Sequence, residues 1–232
     1  MLNNKVILIT GAFSGIGKAV TDLFMQSKAK VVAVGRNDKN KVPSYAGNYL
    51  PIVRNIRTEV DAEEIVEFAI EKFGGIDIIL HCAGKGYLKP ANELKKADFD
   101  KMMADNFYTS MLLTQAALPH MTLKKEGTIL FIPGVLGKTG MAGASAYSAS
   151  KYAVTGYAKS LREDLKRTRI KVTTLFFGGV DSEFWDEIEM SVQRDKMITV
   201  QDAAKAVWFA AQQPDSAVMS ELVLQPYNHQ VI

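Results

Sequence analysis

Tyr147 and Lys151 stand four residues apart in the stretch Tyr147-Ser148-Ala149-Ser150-Lys151. Positions i and i+4 share a helix face, so a phenol and an ammonium become neighbours there. A nearby cation favours the phenolate and lowers the tyrosine pKa. Tyr147 then suits general acid/base work in carbonyl–alcohol exchange. The spacing alone is a weak signal, because tyrosine and lysine are common enough in this chain to pair by chance. Its force depends on what surrounds it.

A second constellation lies near the N-terminus, in Thr10-Gly11-Ala12-Phe13-Ser14-Gly15-Ile16-Gly17. Gly11 permits a tight turn off a strand, Gly15 lets a pyrophosphate approach the backbone, and Gly17 lets the next helix pack closely on the sheet. Free N–H groups at that helix start face an anion. A strand before and a helix after make this turn a dinucleotide site. The next apolar run ends Val34-Gly35-Arg36. No acidic side chain stands there to accept from a ribose 2′-hydroxyl, whereas a guanidinium pairs with a 2′-phosphate. This favours NADP over NAD.

Short β-rich runs alternate with helical patterns along the whole chain. Strands are expected at residues 5–10, 30–35, 48–53, 76–81, 127–132, 170–176 and 221–225, and helices at 16–27, 60–73, 103–122, 146–167 and 199–212. In the 60–73 helix, Ile65, Phe68, Ala69 and Lys72 recur at helical spacing. The alternation predicts an α/β, Rossmann-like, doubly wound three-layer sandwich on a parallel seven-stranded sheet, ordered 3-2-1-4-5-6-7. Ligands belong at the carboxyl ends of the strands. The connection between the second and third strands, residues 36–47, is short enough for its crossover helix to be minimal.

Composition bounds the reading without deciding it. The chain has 232 residues, a net charge of +3, one cysteine and 47% hydrophobic residues. That fits one globular domain over residues 1–232, with no intramolecular disulfide and no thiolate metal cluster. The first apolar run is far shorter than the roughly 20 residues a membrane span needs. The basic cluster at 162–171 is interrupted by Glu163 and Asp164, which reads as a solvated face rather than a nucleic-acid surface. His81, His120 and His229 are scattered, so no metal site is expected. A cytoplasmic setting is the expectation.

Together these motifs closely resemble the short-chain dehydrogenase/reductase family in its compact form. The resemblance covers nearly the whole chain. The family's glycine turn matches residues 10–17, its Asn-Ala-Gly motif is similar to Cys82-Ala83-Gly84, its helix asparagine matches Asn106, and its Tyr-x3-Lys matches Tyr147 and Lys151. The family's Pro-Gly stretch resembles Phe177-Gly178-Gly179-Val180-Asp181-Ser182, and its usual Asp-Val resembles Asn55-Ile56. The resemblance implies that Tyr147 protonates the substrate oxygen, Lys151 lowers its pKa and binds nicotinamide ribose, and Asn106 holds a water linking Lys151 to solvent. It implies cofactor contacts from Gly11, Ser14, Gly15, Ile16, Gly17, Arg36, Asn55, Ile56, Ala83, Gly84, Gly178, Val180 and Ser182. Ser182 reads equally as a helix cap.

The sequence departs from the family at one catalytic position. A serine is expected thirteen residues before the tyrosine, where this chain has Gly134. Losing one such donor costs about 10²–10³ in rate. Ser145 and Ser148 are poor substitutes; Thr139 or a water is left as a candidate. Two readings follow: a carbonyl–alcohol oxidoreductase, or a weakly active NADP-binding homologue acting as sensor or partner. Under the first, Gly134→Ser should raise activity. Gly134, Val135, Met141 and Phe184 are expected at the substrate, with Tyr87, Leu136, Trp185, Ile188 and Met190 as further apolar walls. A homodimer is expected by family analogy, with a tetramer as the alternative.

Overall fold

The computed structural model describes residues 2–36 and 44–232. Its strands are β1 (Val6–Thr10), β2 (Lys30–Gly35), β3 (Tyr49–Val53), β4 (Ile78–His81), β5 (Glu126–Phe131), β6 (Arg169–Phe177), β7 (Val180–Asp181), β8 (Ile198–Thr199) and β9 (Glu221–Leu224). The helices are α1 (Gly15–Gln26), α2 (Glu59–Phe73), α3 (Lys96–Met102), α4 (Thr109–Lys124), α5 (Ser145–Asp164) and α6 (Val200–Ala211). Seven strands form one parallel sheet ordered β3-β2-β1-β4-β5-β6-β9. This is the expected order, with β9 as the seventh strand. The middle of the β2–β3 connection, residues 37–43, lies outside the described residues.

The continuous apolar runs dictate the layers. Every residue of β1 is buried. Its side chains alternate, Leu8 packing with Ile65 and Leu113 on one face, Ile7 and Ile9 with Val20 and Phe24 on the other. A strand loses both faces to solvent only when helices cover both. Here α2, α4 and α5 supply one cover, and α1 and α6 the other. α2 starts where Thr58 and Asp61 form a reciprocal capping box, and ends at Gly74 with φ of 86°. Of the residues at helical spacing, Ile65 and Ala69 are buried with Ala62 and Val66, whereas Phe68 is exposed.

Two features differ from the sequence reading. The single helix expected over 103–122 begins at Lys96 and is widened by one π-helical turn, Met103–Tyr108, before α4. Thr109 fills the widened turn, its hydroxyl donating to the Ala104 carbonyl at 3.2 Å. Such turns insert one residue and re-aim neighbouring side chains. Second, β7 and β8 pair in a separate parallel ladder, Val180 opposite Ile198 and Asp181 opposite Thr199. That ladder pinches the base of the 182–197 excursion and holds it over the strand ends.

The registers bring Thr10, Val34, His81 and Phe131 level at one edge of the sheet. The chain turns away in opposite directions after β1 and β4, which opens a crevice there.

Candidate active site

The glycine turn is fixed from three sides. Ala12 N–H donates to the Val34 carbonyl at 3.1 Å, and the Thr10 hydroxyl accepts from Ala83 N–H at 3.2 Å. Gly17 has no room for a side chain, because a Cβ would meet the Gly11 carbonyl oxygen at 2.1 Å. The close approach is therefore of helix to turn, not of helix to sheet as expected. Gly15 opens α1, and its N–H donates to a carboxylate oxygen of Glu183 at 3.1 Å. The cradle read as a pyrophosphate site thus faces an anion from its own chain.

At the end of β2, Arg36 donates to Asp105 Oδ1 at 3.2 Å. Arg57 donates to the same oxygen. Asp105 is nearly fully buried and sits in the π-helical turn. An unpaired carboxylate there would be expensive, so the two guanidiniums are its counterions. The sequence reading missed this residue.

Asn106, next in the turn, faces the other way. Its carboxamide oxygen accepts from Lys85 N–H at 2.8 Å, and its amide donates to the Lys85 carbonyl at 3.0 Å and the Ser150 hydroxyl at 2.9 Å. The side chain is a clamp joining the Lys85 backbone to α5.

Tyr147 and Lys151 lie on α5 with the ammonium 5.6 Å from the phenol ring centre. Lys151 donates to the Ile132 carbonyl at 3.3 Å. Burial lowers the lysine pKa to about 8. Burial also pushes the Tyr147 phenol above its ordinary value. That direction is opposite to the one expected from the nearby cation, because desolvation of the phenolate outweighs it. Gly84 makes room for the pair: a Cβ would meet Asn106 Oδ1 at 2.8 Å and Lys151 Nζ at 3.1 Å. Cys82 beside them is half-buried at the cavity wall, and desolvation pushes its thiol up to about 12, so it stays protonated. His81 is stacked on Phe131 and held by the Thr114 hydroxyl at 2.9 Å, with burial lowering its pKa to about 3.

Gly134 has φ of 70° and ψ of 173°, a backbone region that only glycine occupies readily. The Ser148 hydroxyl is engaged with the Leu136 and Thr139 carbonyls at 2.9 and 3.1 Å. Phe184 packs against Tyr147 with ring centres 5.9 Å apart. Ser182 accepts from Phe184 N–H at 3.4 Å, so it does cap the short turn that follows. Tyr87 is not a wall of the site; its hydroxyl is turned to Asp98.

The glycine turn, Arg36, Asp105, Gly134, Tyr147, Lys151 and Phe184 line one cavity of about 770 Å³. It runs from the glycine turn, Arg36 and Asn55-Ile56, past Ala83-Gly84, to Tyr147 and Lys151, and reaches Gly178, Val180 and Ser182. Every expected cofactor residue borders it, as do Gly134, Val135, Met141 and Phe184. Asn106 stands behind the wall, buried. The length and lining of this cavity suit a dinucleotide, although the Gly15 backbone is covered by Ser182 and Glu183, which stand 3.5–3.8 Å from where a Cβ would be. The C-terminal tail was not foreseen. Gln225 accepts from Val231 N–H at 2.6 Å and donates to the Ile232 carbonyl at 2.8 Å, folding the tail so that Asn228, His229 and Val231 reach the cavity. Among the described residues no three metal-binding side chains converge, and no helix is long and apolar enough to cross a membrane.

Comparison with known proteins agrees with this geometry. Residues 5–193 match the short chain dehydrogenase family. An uncharacterised oxidoreductase of Staphylococcus aureus strain MW2 is 31% identical over 231 residues, covering 97% of this chain and 99% of that protein. Serine dehydrogenase from Escherichia coli superposes with a TM-score of 0.86 at 26% identity, over 97% of this chain and 100% of its own. ElxO with NADP bound gives a TM-score of 0.85 at 27% identity, covering 96% of each chain.

Proposed function

Because the chain belongs to the short chain dehydrogenase family, we propose that it is an NADP-preferring oxidoreductase interconverting a carbonyl compound and an alcohol. The observation that carries this reading is one cavity with a glycine turn and Arg36 at one end and the Tyr147–Lys151 pair towards the other. A bound reduced nicotinamide supplies a hydride to the carbonyl carbon. Tyr147 gives its proton to the carbonyl oxygen. Lys151, charged, stabilises the phenolate left behind and hydrogen-bonds the ribose. Asn106 positions both by clamping the Lys85 segment to Ser150 beside them. Phe184, Val135 and Met141 make the substrate end apolar, which suits an uncharged, apolar carbonyl. Residues 1–232 act as one unit, and a homodimer in the cytoplasm is the assembly attached to this reading; Tyr108 and Tyr152 stand exposed on its helical face.

A second reading, nucleotide binding with little turnover, is favoured only by Gly134. Oxidation of NADPH measured across aldehydes, ketones and quinones separates the two: binding without turnover on any of them overturns the oxidoreductase. The cofactor preference has its own test. Arg36→Asp should weaken NADPH binding much more than NADH binding, by titration of each; equal losses refute the phosphate role.

The lysine sets a pH limit. A Lys151 pKa lowered to about 8 by burial means that its charge is present below that pH and lost above it. The kcat/KM for reduction reports the free enzyme. It should therefore fall as pH rises through about 8, and Lys151→Arg should move that fall upward. A profile flat across this range would remove Lys151 from the proton chemistry.

A further inference from the structure

We infer that Thr139 is a catalytic residue that hydrogen-bonds the substrate oxygen in place of the donor Gly134 cannot supply. The inference rests on the carbonyl–alcohol reading. As hydride reaches the carbonyl carbon, the π pair moves onto oxygen, and a second donor besides Tyr147 stabilises the charge that develops there. The proton that stays on the oxygen comes from Tyr147, and Thr139 keeps its own.

The hydroxyls around Tyr147 differ in what they are free to do. Ser150 donates to the Tyr147 carbonyl at 2.6 Å and accepts from Asn106. Ser148 is committed to the carbonyls of Leu136 and Thr139. Thr155 donates to the Lys151 carbonyl at 3.2 Å. Ser145 is exposed and does not border the cavity. Thr139 borders it together with Gly134 and Tyr147, and among the described residues its hydroxyl makes no hydrogen bond.

Its backbone is pinned at both ends. Thr139 N–H donates to the Val135 carbonyl at 3.0 Å, and its carbonyl accepts from Ser148, the residue after Tyr147, at 3.1 Å. One hydroxyl thus ties the Gly134 loop to the catalytic helix and sets where Thr139 stands relative to the phenol. A donor held in this way needs little reorganisation when the charge appears.

Thr139→Val removes the hydroxyl at nearly constant shape, and Thr139→Ser restores it. Val should lower kcat by about 10²–10³-fold with NADPH binding unchanged, while Ser retains most of the wild-type rate. Fluorescence titration with NADPH shows that each variant is folded. The pH midpoint should stay where wild type has it, because Thr139 does not titrate. A Val variant within about threefold of wild-type kcat overturns the inference and leaves the oxidoreductase reading intact. Wild-type protein that binds NADPH but turns over no carbonyl overturns both.

Discussion

Tyr147→Phe should lower turnover by about 10²–10⁴-fold, the range expected for loss of a positioned general acid. Nucleotide binding should survive. The ring keeps its packing against Phe184, and Lys151 keeps its hydrogen bond to the Ile132 carbonyl. The phenol oxygen is the only atom removed, and the cradle at Gly15 and Arg36 lies at the far end of the cavity. NADPH oxidation measures the first outcome and fluorescence titration the second. Substantial activity in the phenylalanine variant would mean that another group delivers the proton. Loss of binding along with activity would mean that Tyr147 holds the cofactor more than it serves the chemistry.

Gly134→Ser should harm the protein, although the sequence alone suggests that it would repair it. A side chain at φ of 70° and ψ of 173° meets strain whatever the space around it. The cost is about 1–3 kcal/mol, a fall of several degrees in Tm for a chain of this length. Gly134→Ala should cost much the same, because the strain comes from Cβ and not from the hydroxyl. If serine proves neutral in Tm and raises the rate, the loop has a second conformation that admits it, and Gly134 is then a replaceable member of the site.

The fold was readable because its strands carry near-continuous apolar runs, and strands buried on both faces can sit only in the middle of a three-layer sandwich. The glycine turn and the tyrosine–lysine helix were readable for a related reason: each motif lies within a few residues of sequence. What stayed hidden depends on distant parts meeting. Asp105 is nearly fully buried between two arginines from different strand ends, and its sequence shows only an acid beside an asparagine. The π-helical turn has no periodicity of its own. Six consecutive residues are too few to shift a helical pattern noticeably. The tail reaches the cavity through one glutamine side chain, a contact no local pattern announces. Gly134 was legible as a substitution but not as a backbone conformation, which sets strain against the serine replacement drawn from it.

The hydrogen bond between Gly15 and Glu183 has a consequence for nucleotide loading. The same short segment offers its carboxylate to the phosphate cradle and, through the next residue, a phenyl ring to Tyr147. On the oxidoreductase reading proposed above, a nucleotide seated in the cradle displaces the Glu183 carboxylate from Gly15, one residue from the ring that packs on Tyr147. The chain then holds open the place of the anion it is read to receive.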